Sequence, residues 1–420
     1  TDRATPADLA GPSCRGRYSG RRVNGSAPDP AGTAVPGPAP LFTPRFALLL
    51  ITTAIFGISF SAYFLLPKFL ALELAADAAT IGSVSAVTLL ASVIFMPIIG
   101  VLVDRHGRKP FACLGAAVFA IACAGFLSID GVGPLLWLLR ILQGLGFTLF
   151  YVSLSTLATD MSPPERLGQA IGLFGATMIS TNALGPAFAE WGAHEFGWTI
   201  VFGCTAVTAT LAAVLALFIP ETGRQRAHGT PTGMFHVIMR PGLRRVLIVT
   251  VMVGWAFAAV FTFYQPWALL LGFGQVSGFL IAFAGCAMIV RVGLGSLADR
   301  LGRLRVAQFA LILYVATPLS LIWLDRLGLL FTGGLLGLAH GIFFPAFNAV
   351  ALDLARENER GKAMAAFHGA FNLGFSAGCY LLGYVALVTD YPTIFRLSGA
   401  ICFVAFVILI SRFRFRNQPG

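Results

Sequence analysis

The chain has 420 residues, of which 57% are hydrophobic and 11% charged, whereas an ordinary soluble domain carries about 25% charged residues. That composition excludes a soluble globular fold and, with 47 Gly and 23 Pro dispersed through long apolar runs, describes a polytopic membrane protein. The net charge of +11, from 29 Lys and Arg against 18 Asp and Glu, reports topology rather than nucleic-acid binding, because most basic residues fall in alternate loops.

Residues 1–44 are rich in Pro, Gly, Ala and Arg and lack the apolar stretch of a signal peptide, so a disordered tail is expected. Apolar runs of about 20 residues, enough to cross ~30 Å of hydrocarbon, follow at 46–66, 80–103, 111–129, 134–158, 168–189 and 198–219, giving an N-terminal bundle over 45–220. A polar connection at 221–243 separates it from runs at 245–270, 275–297, 306–324, 328–352, 363–388 and 392–411. These form a second bundle over 244–412, closed by a tail at 413–420. Arg105, Arg108, Lys109, Arg166, Arg240, Arg303 and Arg360 share one side with both tails, whereas Lys68, Arg326 and Arg396 lie on the other. By the positive-inside rule the first side is cytoplasmic. Twelve spans with both termini in the cytoplasm of a bacterial-type inner membrane are the expected topology. The cysteines show no ligand or disulfide spacing, and Met234, His236 and Met239 stand alone in the central connection, so no metal site is expected.

The two halves repeat each other. Gly100-Val-Leu-Val-Asp104-Arg105-His-Gly107-Arg108-Lys109 follows the second run, and Gly295-Ser-Leu-Ala-Asp299-Arg300-Leu-Gly302-Arg303 follows the eighth, offset by 195 residues. Glu165-Arg166 returns as Glu359-Arg360 at an offset of 194, and Asp160 as Asp353 at 193. Three features repeating in step mark a duplication, an architecture of secondary transporters.

These residues resemble the major facilitator superfamily over 45–415. The loop at 100–109 matches that family's most specific motif, Arg140-Ile-Leu-Gln143-Gly144 is similar to its Arg-x-x-Gln-Gly motif, and Gly172-x-x-Gly175 with Gly185-Pro186 resembles the Gly-Pro motif of its proton-coupled drug exporters. The resemblance implies an all-α fold of two pseudo-symmetric six-helix bundles that rock about a central site. It implies a non-enzymatic, monomeric transporter whose partners are a small-molecule substrate, protons and the bilayer, with a proton gradient and no cofactor as its energy source. Export of a drug-like or amphipathic metabolite is the first reading. A proton symporter importing a nutrient, siderophore or organic acid is the alternative. No P-loop, His-Glu-x-x-His or nucleophile constellation supports an enzyme.

Individual roles follow from chemistry. Asp104 is expected to cap a facing helix and Arg108 to pair with Asp160. With Gly100, Arg105 and Gly107, and with Asp299, Arg300, Arg303 and Asp353 in the second half, they are expected to form cytoplasmic latches that break when the halves part. Arg140, a charge within the bilayer, has Gln143 on the same face. His340, Phe344 and Asn348 form one stripe of the tenth span, and His368 and Asn372 another on the eleventh. Substrate contacts are expected from Arg140, Gln143, Tyr63, Asn182, Tyr264, His340, Asn348, His368 and Asn372. Proton coupling is expected from His340, His368, Arg140 or Glu190, the last at the external surface. Phe56, Phe60, Tyr63, Trp255, Phe263, Tyr264 and Trp267 could line a cavity. Gly144, Gly175, Gly185 and Pro186 are assigned to helix packing.

Overall fold

A computed structural model describes residues 41–222, 233–293, 301–356 and 359–413. Its long helices are α1 Pro44–Leu72, α2 Ala78–His106, α3 Lys109–Ser128, α4 Pro134–Asp160, α5 Leu167–Phe196 and α6 Trp198–Ala216 in the first half. The second half comprises α7 Pro241–Leu270, α8 Ser277–Gly293, α9 Arg303–Trp323, α10 Arg326–Asp353, α11 Arg360–Val388 and α12 Tyr391–Phe413. A short helix, Met234–Ile238, precedes α7. Ten of the long helices are apolar and long enough to cross a membrane by composition alone. The fifth is diluted by Asn182 and Glu190, and the eighth is described over only 17 residues. All twelve expected spans are present as helices among the described residues.

Local chemistry sets the ends. Thr43 Oγ1 accepts from Phe46 N at 3.2 Å ahead of Pro44, and Asp77 Oδ1 accepts from Thr80 N at 2.7 Å, so α1 and α2 begin with capped amides. Asp325 caps α10 in the same way through Gly328 N. The α2–α3 turn needs φ of +102° at Gly107, a conformation only glycine adopts freely.

Large apolar side chains such as Ile94, Ile121, Phe188 and Phe331 lie exposed on the outside of the helices, the surface a bilayer covers. Lipid offers them as apolar a surrounding as a neighbouring helix would, so helix association depends on close packing at small residues. α2 meets α11, and α5 meets α8, across the two halves. At the first crossing Gly383 lies so close that a Cβ there would stand 2.6 Å from the Ala78 carbonyl oxygen. A Cβ on Gly185 would approach the Ile58 carbonyl oxygen to 2.7 Å, and one on Gly144 would reach Ala91 Cβ at 3.0 Å. Gly175 leaves space instead for Arg291, whose Nη1 would lie 3.3 Å from an added Cβ. Gly100, grouped with the latch residues, has nothing among the described residues within 4 Å of an added Cβ.

The loops carrying the basic repeats share one face of the bundle, called here the basic face. The opposite face carries the end of α1, the end of α5 and the α7–α8 loop.

Candidate functional site

Between the halves lies a cavity of about 370 Å³, walled by α1, α2, α4 and α5 on one side and by α7, α8, α10 and α11 on the other. Eleven aromatic rings line it, including Phe60, Phe147 and Tyr151 from the first half and Phe257, Phe261 and Phe371 from the second. Phe60 stacks on Phe147 with centroids 4.1 Å apart, Phe147 on Tyr151 at 5.5 Å, and Phe257 on Phe261 at 5.0 Å. Each wall therefore presents a run of flat apolar surface.

The polar groups are few. Arg140 lines the cavity while only 8% exposed. Its Nε donates to Val84 O at 3.3 Å, and Nη1 donates to Gln143 Oε1 at 2.6 Å. Across the cavity, His340 Nδ1 and the Tyr314 hydroxyl are hydrogen-bonded at 2.7 Å, and the imidazole sits among Phe257, Phe344 and Phe371. His368, Asn372, Asn182 and Tyr63 also line the space, as do Ser85, Thr88 and Ser92 of α2.

Several expected contacts lie elsewhere. Gln143 supports Arg140 from behind and does not line the cavity. Tyr264 is fully buried within the second half, stacked on Phe279 at 4.0 Å, with its hydroxyl donating to Val276 O. Asn348 shares the stripe of His340 but stands two turns, about 12 Å, further along α10 and outside the lining. Phe56 packs on Phe150 inside the first half. On α7 the lining face carries Phe257, Phe261 and Thr262 rather than Trp255, Phe263 and Trp267. That helix is enclosed nearly all round, with 78% of its most apolar window buried, so its hydrophobic pattern has no distinct phase.

The opposite-face end is sealed by a polar clamp that the sequence reading missed. Glu190 is not at the surface but 6% exposed, and Lys68 is 8% exposed. Lys68 Nζ lies 2.5 Å from Glu190 Oε1 and donates to Gly274 O at 2.6 Å, crossing the halves. The Glu190 carboxylate also accepts from Val276 N at 2.9 Å and Ser277 N at 2.8 Å, so a side chain of α5 caps α8 of the other half. Gln265 of α7 completes the clamp. Its Nε2 donates to Phe64 O at 2.7 Å and its Oε1 accepts from Lys68 N at 3.2 Å, the two backbone groups that an unbroken α1 would join to each other. A turn of 3₁₀-helix at Tyr63–Leu65, ahead of Pro67, frees them. The signal available in the sequence was that Lys68 and Glu190 each stand inside an apolar stretch, Lys68 between Pro67 and Phe69 and Glu190 between Ala189 and Trp191.

At the basic face, Arg108, 2% exposed, lies 3.3 Å from Asp160, and Arg303 reaches Asp353 at 2.7 Å. Both expected pairs form, each inside its own half, so parting the halves does not of itself require breaking these two contacts. Glu221 caps α3, accepting from Arg108 N at 3.1 Å and Lys109 N at 2.9 Å. Asp104, expected to cap a facing helix, bonds to none of the described residues, and Arg105 is exposed. Asp299 and Arg300 lie outside the described residues.

Two like halves of six helices, an interfacial cavity and one sealed end define the architecture of an alternating-access secondary transporter. The family model of the Major Facilitator Superfamily matches residues 48–328 and 292–420; the chain belongs to that superfamily and is a transporter, not an enzyme. It is 27% identical over 358 residues to the multi-drug resistance efflux pump PmrA of Streptococcus pneumoniae, covering 80% of this chain and 86% of the relative. It is 26% identical over 340 residues to the multidrug resistance protein MdtG of a Rahnella species, covering 76% and 80%. Among solved structures, the nucleoside transporter NupG superposes with a TM-score of 0.73 at 15% identity, over 89% of this chain and all of that one.

Proposed function

We propose that the protein is a proton-coupled exporter of drug-like, amphipathic compounds in a bacterial-type inner membrane, acting as a monomer with both termini cytoplasmic. The basic face is then the cytoplasmic one, and the clamp of Lys68, Glu190 and Gln265 holds the outer end shut. The observation that carries this reading is the ring-lined cavity between the halves, sealed at its outer end. A cytoplasmic compound enters from the basic face. The name of PmrA, a multi-drug resistance efflux pump, supports the direction, and those of PmrA and of MdtG, a multidrug resistance protein, support the breadth of substrate.

Proton coupling falls to His340 and His368, the lining groups that change charge nearest physiological pH. Substrate and proton shift the population between the two orientations by binding them unequally. The test is uptake of cationic, neutral and anionic aromatic dyes into inside-out vesicles energised by internal acidification, accumulation of any one of them sufficing. Protonophore-sensitive uptake is expected. Its absence, with accumulation in right-side-out vesicles under an inward proton gradient, would establish the symporter instead.

A further inference from the structure

The cavity carries a positive charge with no anion to balance it among the described residues that line it. Among the described residues that line it there is no Asp or Glu, and Arg140 is the one group charged at every working pH. Its two hydrogen-bond partners, the Val84 carbonyl and the Gln143 amide, are both neutral. A guanidinium has five N–H donors, so three remain without a partner among the described residues, on a side chain only 8% exposed. The described carboxylates are committed elsewhere or remote: Glu190 to the clamp, Asp160 to Arg108 and Asp353 to Arg303. A buried cation without a counter-charge is costly, and a carboxylate offers the planar, two-oxygen acceptor that suits the free edge of an arginine.

The rings give the other half of the recognition. Phe147 and Tyr151 follow Arg140 on α4 after seven and eleven residues, about 10 and 16 Å along the helix axis, and Phe60 of α1 stacks on Phe147. Phe257 and Phe261 form the facing wall. Aromatic faces alone would also hold a cation, but here Arg140 opposes one.

We infer that the substrates are amphipathic organic anions, with an acid group paired to Arg140 and a flat apolar body held between the ring-lined walls. The inference rests on the exporter reading and narrows it to one charge class.

Three probes with one ring system separate the possibilities: naphthylacetate, naphthylmethanol and naphthylmethylammonium, titrated against the purified full-length protein by calorimetry. Naphthylacetate is expected to bind at least about tenfold more tightly than the other two, the size of one charge-assisted bond. Arg140→Gln should level the three and Arg140→Lys should keep part of the preference, with elution volume and thermal unfolding reporting that each variant is folded. Should Arg140→Gln fail to fold, the wild-type order decides. Equal or tighter binding of the ammonium, an unchanged ratio in Arg140→Gln, or no binding of any probe overturns the inference. Transport in inside-out vesicles separates it from the exporter reading. Naphthylacetate that binds but is not moved counts against export and leaves the charge class standing. Accumulation of ethidium but not of naphthylacetate keeps export and removes the anion.

Discussion

Replacing Glu190 by Gln tests whether the clamp holds the closed end. The change keeps the size of the side chain but leaves Lys68 with Gly274 O as its remaining partner and weakens the acceptor for Val276 N and Ser277 N. Breaking a buried ion pair by neutralising one member costs about 3–5 kcal/mol. The cost falls on the orientation in which these groups are buried, because once the end opens both reach water. A bias of that size moves the ratio of the two orientations by at least about a hundredfold. The assay is the rate at which a membrane-impermeant thiol reagent, added from outside, labels a cysteine placed at the cavity residue Asn182 in a background lacking the native cysteines. Glu190→Gln should speed labelling strongly. The double variant Lys68→Met with Glu190→Gln, which removes both charges, should be less perturbed than Glu190→Gln alone. Labelling raised by less than about threefold, or a double variant more open than the single, would refute the reasoning.

The two ion pairs at the basic face should differ in worth. Arg108→Gln leaves the Asp160 charge with the Thr222 hydroxyl but no cation, in a site where the arginine is 2% exposed, and should cost about 3–5 kcal/mol, whereas Arg303→Gln, in a pair whose two side chains are 39% and 57% exposed, should cost at most about 1 kcal/mol; thermal unfolding in detergent reads the contrast. Gly82→Ala drives a methyl into the backbone carbonyl of Cys379 at the α2–α11 crossing, so it should separate the halves at the opposite face and raise the same thiol labelling. His340→Gln and His368→Gln should retain substrate binding. If either histidine carries the proton, its variant loses pH-driven accumulation while energy-independent exchange survives in vesicles.

The helices were legible because their cause is local. A run of about 20 apolar residues in lipid must satisfy its own backbone, and the caps at Thr43, Asp77 and Asp325 are written beside the runs they start. α5 shows the limit: polar residues ended the apolar signal near position 189, but the helix continues to Phe196 and buries Glu190. The cavity was legible where polarity is rare. Arg140, His340, His368, Asn182 and Asn372 stand out in apolar helices and all line it, while the phase of α7 could not be read from a pattern with no polar side.

The sequence by itself determined twelve spans, two repeated halves and an intramembrane arginine, each of which follows from composition, period or spacing within one segment. The tertiary structure alone decided which residues meet across the halves. Gln265 enters the broken hydrogen-bond ladder of α1 from 197 positions away in the chain, and Glu190 caps α8 from another bundle. Such contacts depend on where two separately folded surfaces come to rest against each other, and no local propensity encodes that distance.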